Sequence, residues 1–258
     1  MEELSLQDPP DNFRTLNITP TWEDVCLDVD PFLRPNIVKG AYPDVNTYLD
    51  IQFRLLREDF FYPLRVGLLS YKNQLDRKYA RRSDNIRLYH DVKILSYDMK
   101  REMHTIQFPS QNMKRMNWET SKRFMYGPLL LLSSDNFASF LLCTVTDRDP
   151  RELVYGKLKV KFDDGILSAQ VMKRSFVMAE STVFFESYRG VLLALQRISP
   201  ANFPLKEYIL GQKSTPERPK YLEGEEAVTS IKFYILKFVI LLLVIFVGSV
   251  RFELHESE

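Results

Sequence analysis

The sequence predicts an α+β protein in which a helical stalk flanks a small antiparallel β-barrel, followed by a C-terminal apolar, transmembrane-like helix. Apolar residues recur every three to four positions over residues 44–75, the period changes to two from residue 86, and helical spacing returns at residues 184–195. The chain has 258 residues, of which 45% are hydrophobic and 13% aromatic. A chain of this length and composition can bury a core, so one or two folded domains are expected.

Residues 1–43 are expected to form an extended acidic arm, because five prolines between positions 9 and 35 exclude a long helix. Residues 1–30 carry eight acids against one arginine, whereas residues 72–101 carry nine bases against four acids. This asymmetry indicates a polyanion site with an internal acidic competitor, or else two solvated faces. The arm is expected to pack through its large apolar side chains, namely Phe13, Trp22, Phe32 and Leu33.

Residues 44–83 are expected to form the first stalk helix, with Asp44 as its N-cap and a kink at Pro63. Residues 183–198 are expected to form the returning stalk helix. The apolar stripe of the first helix consists of Val45, Leu49, Phe53, Leu56, Phe60 and Leu64. The charged residues off this stripe are expected to face water, and they are Arg54, Arg57, Glu58 and Asp59.

The barrel is expected over residues 84–182, where short runs alternate apolar and polar side chains. The clearest alternation is Lys157–Phe162, and the Asp164-Gly165 pair after it suits a tight turn. We therefore expect a β-hairpin whose return strand is residues 166–171. The full set of predicted strands is 86–95, 105–108, 129–132, 140–145, 154–162 and 166–171.

Residues 199–230 have the composition of a linker, with four prolines and an acidic run. Residues 231–250 are apolar apart from two lysines, and they are expected to form a transmembrane helix that anchors the protein to a membrane, with a polar tail at residues 251–258. A buried core helix and a segment without an evolved role are the alternatives. The uninterrupted apolar stretch has 13 residues, about 20 Å of helix, against a bilayer core of about 30 Å.

Metal and cofactor chemistry is not expected. The chain has two cysteines, Cys26 and Cys143, and three histidines, which are too few for a zinc finger. Two cysteines are also too few for a disulfide framework, so a reducing, cytoplasmic location is expected. No serine, histidine and acid combination has the spacing of a catalytic motif, and we expect a protein that is not itself an enzyme.

Three basic groups are candidate RNA-binding residues. The first group places cationic side chains near an indole ring that could stack on an unpaired nucleobase. It consists of Lys114, Arg115, Trp118, Lys122 and Arg123. The second is a row on one strand face that could follow a phosphate backbone, and consists of Lys157, Lys159 and Lys161. The third lies at a helix end, and consists of Arg77, Lys78, Arg81 and Arg82. Each group has a structural alternative: a buried Trp among solvated cations, lysines that protect an exposed sheet face, or cations that favour a helix C-terminus.

Three blocks of the sequence resemble one protein family. They contain FLRPNI at residues 32–37 and FRLLREDF at 53–60, then WETSKRFMYG at 118–127, then ESTVFFESYR at 180–189. Together they extend over residues 13–222 and are similar to the region before the motor in NFX-type zinc-finger-containing RNA helicase-like proteins, the ZNFX family of the Upf-one-like superfamily 1 helicases. The resemblance implies a helical stalk interrupted by a β-barrel that contacts nucleic acid.

The resemblance implies RNA as a partner, together with proteins of RNA silencing, heterochromatin assembly or antiviral defence, and a nuclear silencing complex as the alternative location. Family members continue into a P-loop ATPase, but the nearest approach here, Gly211-Gln212-Lys213-Ser214, lacks the first glycine of that loop. We therefore expect an RNA-binding, regulatory fragment without its helicase core. The alternative is a membrane-tethered protein-interaction module that regulates a full-length helicase relative.

Overall fold

The computed structural model describes residues 7–26, 30–76, 84–110, 116–213 and 215. The chain divides into two compact units, the first comprising residues 1–38 and 44–203, and the second residues 39–43 and 204–258. The first unit contains a β-barrel, two stalk helices and an N-terminal arm. In the second unit, a short helix α6 (Lys206–Ile209) ends at Leu210, whose carbonyl accepts the Tyr42 amide at 2.8 Å.

Six antiparallel strands form a closed barrel in the order β1-β2-β5-β4-β3-β6. Closure pairs both edges of every strand, so the barrel leaves no free edge for another chain. The long first strand bends at two bulges, between Tyr89 and Val92 and between Ile94 and Ser96, which lets it pair with β6 and then β2. The strands are β1 (Ile86–Asp98), β2 (Met103–Gln107), β3 (Leu129–Ser133), β4 (Leu141–Asp147), β5 (Lys157–Phe162) and β6 (Ser175–Ser181).

The predicted hairpin after β5 is wrong. The chain does turn at Gly165, which has a φ of +74°, but Ser168 then caps a short helix α4 (Ala169–Met172), accepting the Val171 amide at 3.4 Å. β5 pairs with β2 and β4 instead. A local turn signal shows where the chain turns, whereas closure of the barrel decides which strands become neighbours.

The predicted strand at residues 154–162 also begins too early. Asp149 caps a short helix α3 (Pro150–Leu153), and β5 starts only at Lys157. Gly156, between these two elements, has a φ of +72°. The strand that completes the barrel, β6 at Ser175–Ser181, was not among the predicted ones.

β3 is buried on both of its faces and joins two hydrophobic cores. Leu130 and Leu132 point into the barrel, among the side chains of the other strands. Leu129 and Leu131 point outward and pack against the stalk. A strand covered on both faces is expected to be continuously apolar, as this run of four leucines is.

The stalk consists of α2 (Val45–Asp76) and α5 (Phe185–Arg197), with Pro63 inside α2. The ring of Phe60 lies 4.8 Å from that of Phe185 and 5.7 Å from that of Tyr188, measured between centroids, so aromatic contacts hold the helices together. Gly67 faces the barrel, where an added Cβ would meet the side chain of Ile86 at 2.7 Å. The stalk therefore packs closely against the first strand.

The expectation that Arg54 and Arg57 face water is wrong, because the arm covers that face of α2. Arg54 is buried and bonds Asp50 at 2.8 Å and the Asp11 carbonyl at 2.8 Å. Arg57 pairs with Asp24 at 2.7 Å. The acids of the arm thus pair with arginines of the stalk.

The arm bridges the stalk and the barrel. Its first turn, Phe13–Thr15, is held by Gln196 of α5, whose side-chain amide donates to the Phe13 carbonyl at 2.9 Å. Its helix α1 (Trp22–Cys26) reaches the barrel, where Trp22 Nε1 donates to the Phe137 carbonyl at 3.1 Å. These contacts attach the arm both to α5 and to the loop that follows β3.

The predicted fold class requires a correction at its C-terminal end. The described residues form an α+β fold with a closed six-stranded barrel, and none of their helices is both long and apolar enough to cross a membrane. The predicted transmembrane-like helix is therefore removed from the fold class. Residues 231–250, on which that prediction fell, lie outside the described residues.

Candidate nucleic-acid interface

Residues 116–127, here called the plug loop, close the end of the barrel where β2 and β4 finish and β3 and β5 begin. Trp118 is only 4% exposed and Phe124 is fully buried. The centroids of their rings lie 6.1 and 4.7 Å from that of Phe108, at the end of β2. The loop therefore fills the barrel end with aromatic rings and leaves its outer side in solvent.

Arg148, directly after β4, holds the plug loop by hydrogen bonds from its side chain to backbone carbonyls of the loop. Its guanidinium donates to the carbonyls of Trp118 at 2.6 Å, Ser121 at 2.9 Å and Arg123 at 3.1 Å. Its backbone amide donates to the Tyr126 hydroxyl at 3.1 Å. One side chain thus satisfies three carbonyls that no strand or helix would satisfy.

A buried carboxylate holds the loop from inside the barrel. Glu180 is fully buried and accepts the Phe124 amide at 2.6 Å and the Tyr89 hydroxyl at 2.7 Å. The Tyr89 hydroxyl in turn accepts Arg123 Nη1 at 2.9 Å. Phe124 has a φ of +52°, an uncommon conformation for a bulky residue. The hydrogen bond from its amide to Glu180 stabilises this conformation.

The electrostatics of this network follow from burial. Burial raises the pKa of the Glu180 carboxyl, and the hydrogen bonds from Tyr89 and Phe124, with the charges of Arg87 and Arg123, act in the opposite direction. Burial and the neighbouring carboxylate also raise the pKa of the Tyr89 phenol. The hydroxyl therefore stays protonated and donates to Glu180.

The first predicted group is divided between the barrel core and the surface. Trp118 lies in the core, so its ring is covered by Phe108 and Phe124. Lys122 is exposed and Arg123 is half-buried, both on the plug loop. Two groups of predicted residues lie outside the part of the chain that the structure describes: Lys114 and Arg115, and the helix-end cluster Arg77, Lys78, Arg81 and Arg82.

The second predicted group lies together on the outer face of β5, and each lysine has an acidic neighbour. The ammonium group of Lys159 is 2.7 Å from an Asp147 oxygen, and that of Lys161 is 3.2 Å from a Glu102 oxygen. Lys157 lies 4.0 Å from Glu152. These acids neutralise much of the field that the row would otherwise present to a polyanion.

The plug end also exposes an apolar rim. Met125, Tyr126 and Phe184 are each between 40% and 50% exposed. An added Cβ on Gly127 would lie 2.5 Å from the Phe184 ring, so this ring rests directly on the loop. Cations and aromatic surface therefore occur side by side on the outer face of the plug end.

The sequence patterns missed four polar residues of this site. Arg87, Tyr89 and Glu180 lie on strands β1 and β6, and Arg148 lies in a connecting turn. Glu180 carried the one usable signal, because it is an acid following the apolar run of residues 176–179. Nothing local in the sequence distinguished Arg148 from the charged residues on either side of it, Asp147 and Asp149.

Metal binding finds no support in the described ranges. They contain no group of three or more His, Cys, Asp or Glu side chains that could hold a metal ion. Both cysteines are buried. Burial raises the pKa of Cys26 and Cys143, which makes both thiols poor nucleophiles.

Comparison with known proteins assigns the barrel to a family. Residues 81–182, which contain all six strands, match the ZNFX1 domain. Over 225 residues the chain is 39% identical to human "NFX1-type zinc finger-containing protein 1", an alignment that covers 84% of this chain and 12% of the human protein. The mouse protein of the same name is 38% identical over 221 residues, with 82% and 12% covered.

A fungal relative is also similar. "Helicase required for RNAi-mediated heterochromatin assembly 1" of Schizosaccharomyces pombe is 33% identical over 222 residues, covering 84% of this chain and 22% of that protein. The chain thus spans about an eighth of the length of the mammalian relatives and about a fifth of the yeast one. The family predicted from the three sequence blocks is confirmed, and the chain belongs to the ZNFX1-domain family of NFX1-type zinc finger-containing, helicase-like proteins.

Proposed function

We propose that the stalk and barrel form an RNA-contacting, regulatory module of a helicase-like protein, with the outer face of the plug loop as the interface. The observation that carries this proposal is that Lys122 and Arg123 lie outside ion pairs in the described ranges. Both sit on a loop anchored by Arg148 and Glu180. A rigid loop that carries two cations outside direct ion pairs is suited to a polyanion.

The name of the fission-yeast relative supports RNA as that polyanion. The yeast relative is described as a helicase required for RNAi-mediated heterochromatin assembly. We carry this over as a proposal that the module works in RNA silencing or antiviral RNA defence, with proteins of that machinery as partners. Helicase activity is proposed for the whole protein and not for this chain. The chain aligns with only a small part of the human relative's length.

Binding of this kind is mainly electrostatic. It should be indifferent to base sequence and should weaken as salt rises, because each phosphate neutralised by a cation releases counterions. The exposed ring of Tyr126 next to these cations would add stacking on an unpaired base, which is worth about 1–3 kcal/mol. The lysine row of β5 should contribute little, because its charges are already paired.

Fluorescence anisotropy of the full chain with labelled RNA tests the proposal. We expect affinity to fall by at least tenfold between about 50 and 200 mM salt. The double variant Lys122→Ala, Arg123→Ala should lose most of it. The matched control is Lys100→Ala with Arg101→Ala, which removes two exposed cations from the β1–β2 turn at the other end of the barrel.

The second candidate is a protein-interaction module, and the exposed apolar rim of Met125, Tyr126 and Phe184 favours it. Apolar and aromatic rims of this kind are typical of docking surfaces for proteins. The same titration separates the two candidates. No RNA binding at low salt would contradict the first proposal and leave the rim as the functional feature.

A further inference from the structure

We propose that Arg87 and Arg123 form a phosphate-binding subsite at the plug end of the barrel, and that Glu180 is the buried residue that positions them. This inference rests on the proposed function and assigns the subsite that would take one backbone phosphate of the RNA. Arg87 was not among the sequence candidates, and only the pairing of β1 with β6 brings it to this place, opposite Glu180.

Both guanidinium groups are tied to the same carboxylate. Arg87 Nη1 lies 3.4 Å from Glu180 Oε1. Arg123 Nη1 donates to the Tyr89 hydroxyl at 2.9 Å, and that hydroxyl donates to Glu180 Oε2 at 2.7 Å. One arginine is therefore attached to the carboxylate directly and the other through a single hydroxyl, so both cations are held around the same buried group.

The charges of this group do not cancel at the surface. Two guanidinium groups face one carboxylate, so the sum +2 − 1 leaves one positive charge. The carboxylate of Glu180 has no exposed area, whereas the Arg87 side chain is 33% exposed and Arg123 is half-buried. The carboxylate is thus covered, and the part of this group that solvent reaches belongs to the two arginines.

The two arginines also keep donors available. A guanidinium carries five N–H donors in a planar fork that matches the oxygens of a phosphate. Arg123 uses one of them on Tyr89, and Arg87 has only the 3.4 Å contact with Glu180 among the residues that the structure describes. An incoming phosphate can therefore be bound without breaking an existing hydrogen bond, and the held guanidinium groups lose little entropy on binding it.

A phosphate reaching this subsite could come from an RNA backbone or from a free phosphate compound. Two probes distinguish these sources. The first is a twelve-nucleotide oligouridylate with a 5′-hydroxyl, which offers backbone phosphates alone. The second is inorganic tripolyphosphate, followed by its effect on the thermal midpoint of the full chain.

Three single substitutions test the subsite with the oligouridylate. Arg87→Ala and Arg123→Ala should each weaken binding about tenfold, the ordinary loss for one charge-assisted hydrogen bond, and lower the salt slope by about one unit. Glu180→Gln keeps the shape and an acceptor for the Phe124 amide but removes the charge that holds Arg87 directly and Arg123 through Tyr89, so it should weaken binding severalfold. If Glu180 did not position the two arginines, removal of its negative charge would leave binding unchanged or make it tighter, and that result would count against the positioning role. Arg101→Ala is the matched control for loss of one exposed cation.

Each result decides the subsite separately from the proposed function. If the RNA binds but Arg87→Ala and Arg123→Ala behave like Arg101→Ala, the subsite is overturned and the proposed function stands. If no RNA binds, the proposed function fails, and stabilisation by tripolyphosphate that is lost in Arg123→Ala would still support the subsite. Absence of that stabilisation as well would overturn it.

A second variant guards against misfolding of Glu180→Gln. Tyr89→Phe removes only the hydroxyl between Arg123 and Glu180, and the ring keeps its place between Phe108 and Phe124. Because Arg123 loses its anchor while all charges remain, binding should weaken severalfold. Binding at the wild-type level would count against the positioning role.

Discussion

Gly156 is the glycine at which we expect replacement by alanine to lower the free energy of unfolding most. It lies between α3 and β5 with a φ of +72°. An added Cβ would overlap the backbone carbonyl oxygen of Phe108. A backbone hydrogen bond also joins these two residues, because the Phe108 amide donates to the Gly156 carbonyl at 2.8 Å. Because a backbone atom cannot move aside as a flexible side chain can, the Gly156→Ala change must separate the two segments.

The expected cost has three parts. A left-handed conformation in a residue with a Cβ costs about 1–2 kcal/mol. Loss of the hydrogen bond between Phe108 and residue 156 costs about 0.5–1.5 kcal/mol. Displacement of Phe108, whose ring is buried in the barrel core, adds about 1–3 kcal/mol for strain. We therefore expect Gly156→Ala to lower the free energy of unfolding by about 2.5–6.5 kcal/mol, the sum of these parts.

Gly165 provides the matched control. It has nearly the same φ, +74°, but an added Cβ would have nothing within 4 Å. Gly165→Ala should therefore lose only the conformational part, about 1–2 kcal/mol. Urea denaturation of both variants, followed by far-UV circular dichroism, measures the difference. Equal losses in the two variants would refute the close approach of residues 108 and 156.

Three further outcomes are expected. Arg148→Ala should lower the free energy of unfolding by about 2 kcal/mol or more, because three plug-loop carbonyls lose a charged donor, whereas Arg151→Ala, at an exposed pair, should have no measurable effect. In a double-mutant cycle, Asp24→Asn and Arg57→Gln should show a coupling of about 0.5–1 kcal/mol, and zero coupling would argue against attachment of the arm there. His104 is buried with both ring nitrogens unpaired among the described residues, and burial lowers its pKa. The unfolded imidazole takes up a proton near its ordinary pKa of about 6.5, whereas the folded one, whose pKa burial lowers, does so only at lower pH, so stability should fall as pH drops below about 6.5. His104→Leu should show a smaller loss between about pH 7.5 and 5.5 in urea midpoints, and an identical loss would exclude His104 as its source.

Periodicity alone located much of the secondary structure. The three-to-four spacing from Val45 to Leu64 follows the buried side of α2, and the strand predicted at residues 129–132 is β3. Such patterns are readable because burial of one face imposes its period on the sequence. The pairing of the strands could not be predicted from these patterns. The hairpin predicted after β5 is wrong because the two strands that pair with β5 are β2 and β4.

The candidate site was predicted only in its exposed part. Lys122 and Arg123 stood out as bases in a family-like block, and RNA binding by them stays a prediction. The groups that hold them were missed, because Glu180 and Arg148 act through contacts 56 and 25 residues away along the chain. A charged residue has no local feature that shows whether it faces water or a buried amide.

By itself, the sequence determined the family of this protein, the periods of its helices and strands, and the charge carried by its arm. Only the tertiary structure decided that the acids of the arm pair with the stalk arginines, that the lysine row is neutralised, and that Arg87 meets Arg123 around one buried carboxylate. The physical reason is that composition and period are local properties. The environment of a charge, in contrast, is set by residues that closure of the barrel brings together, such as Tyr89 and Glu180, 91 positions apart.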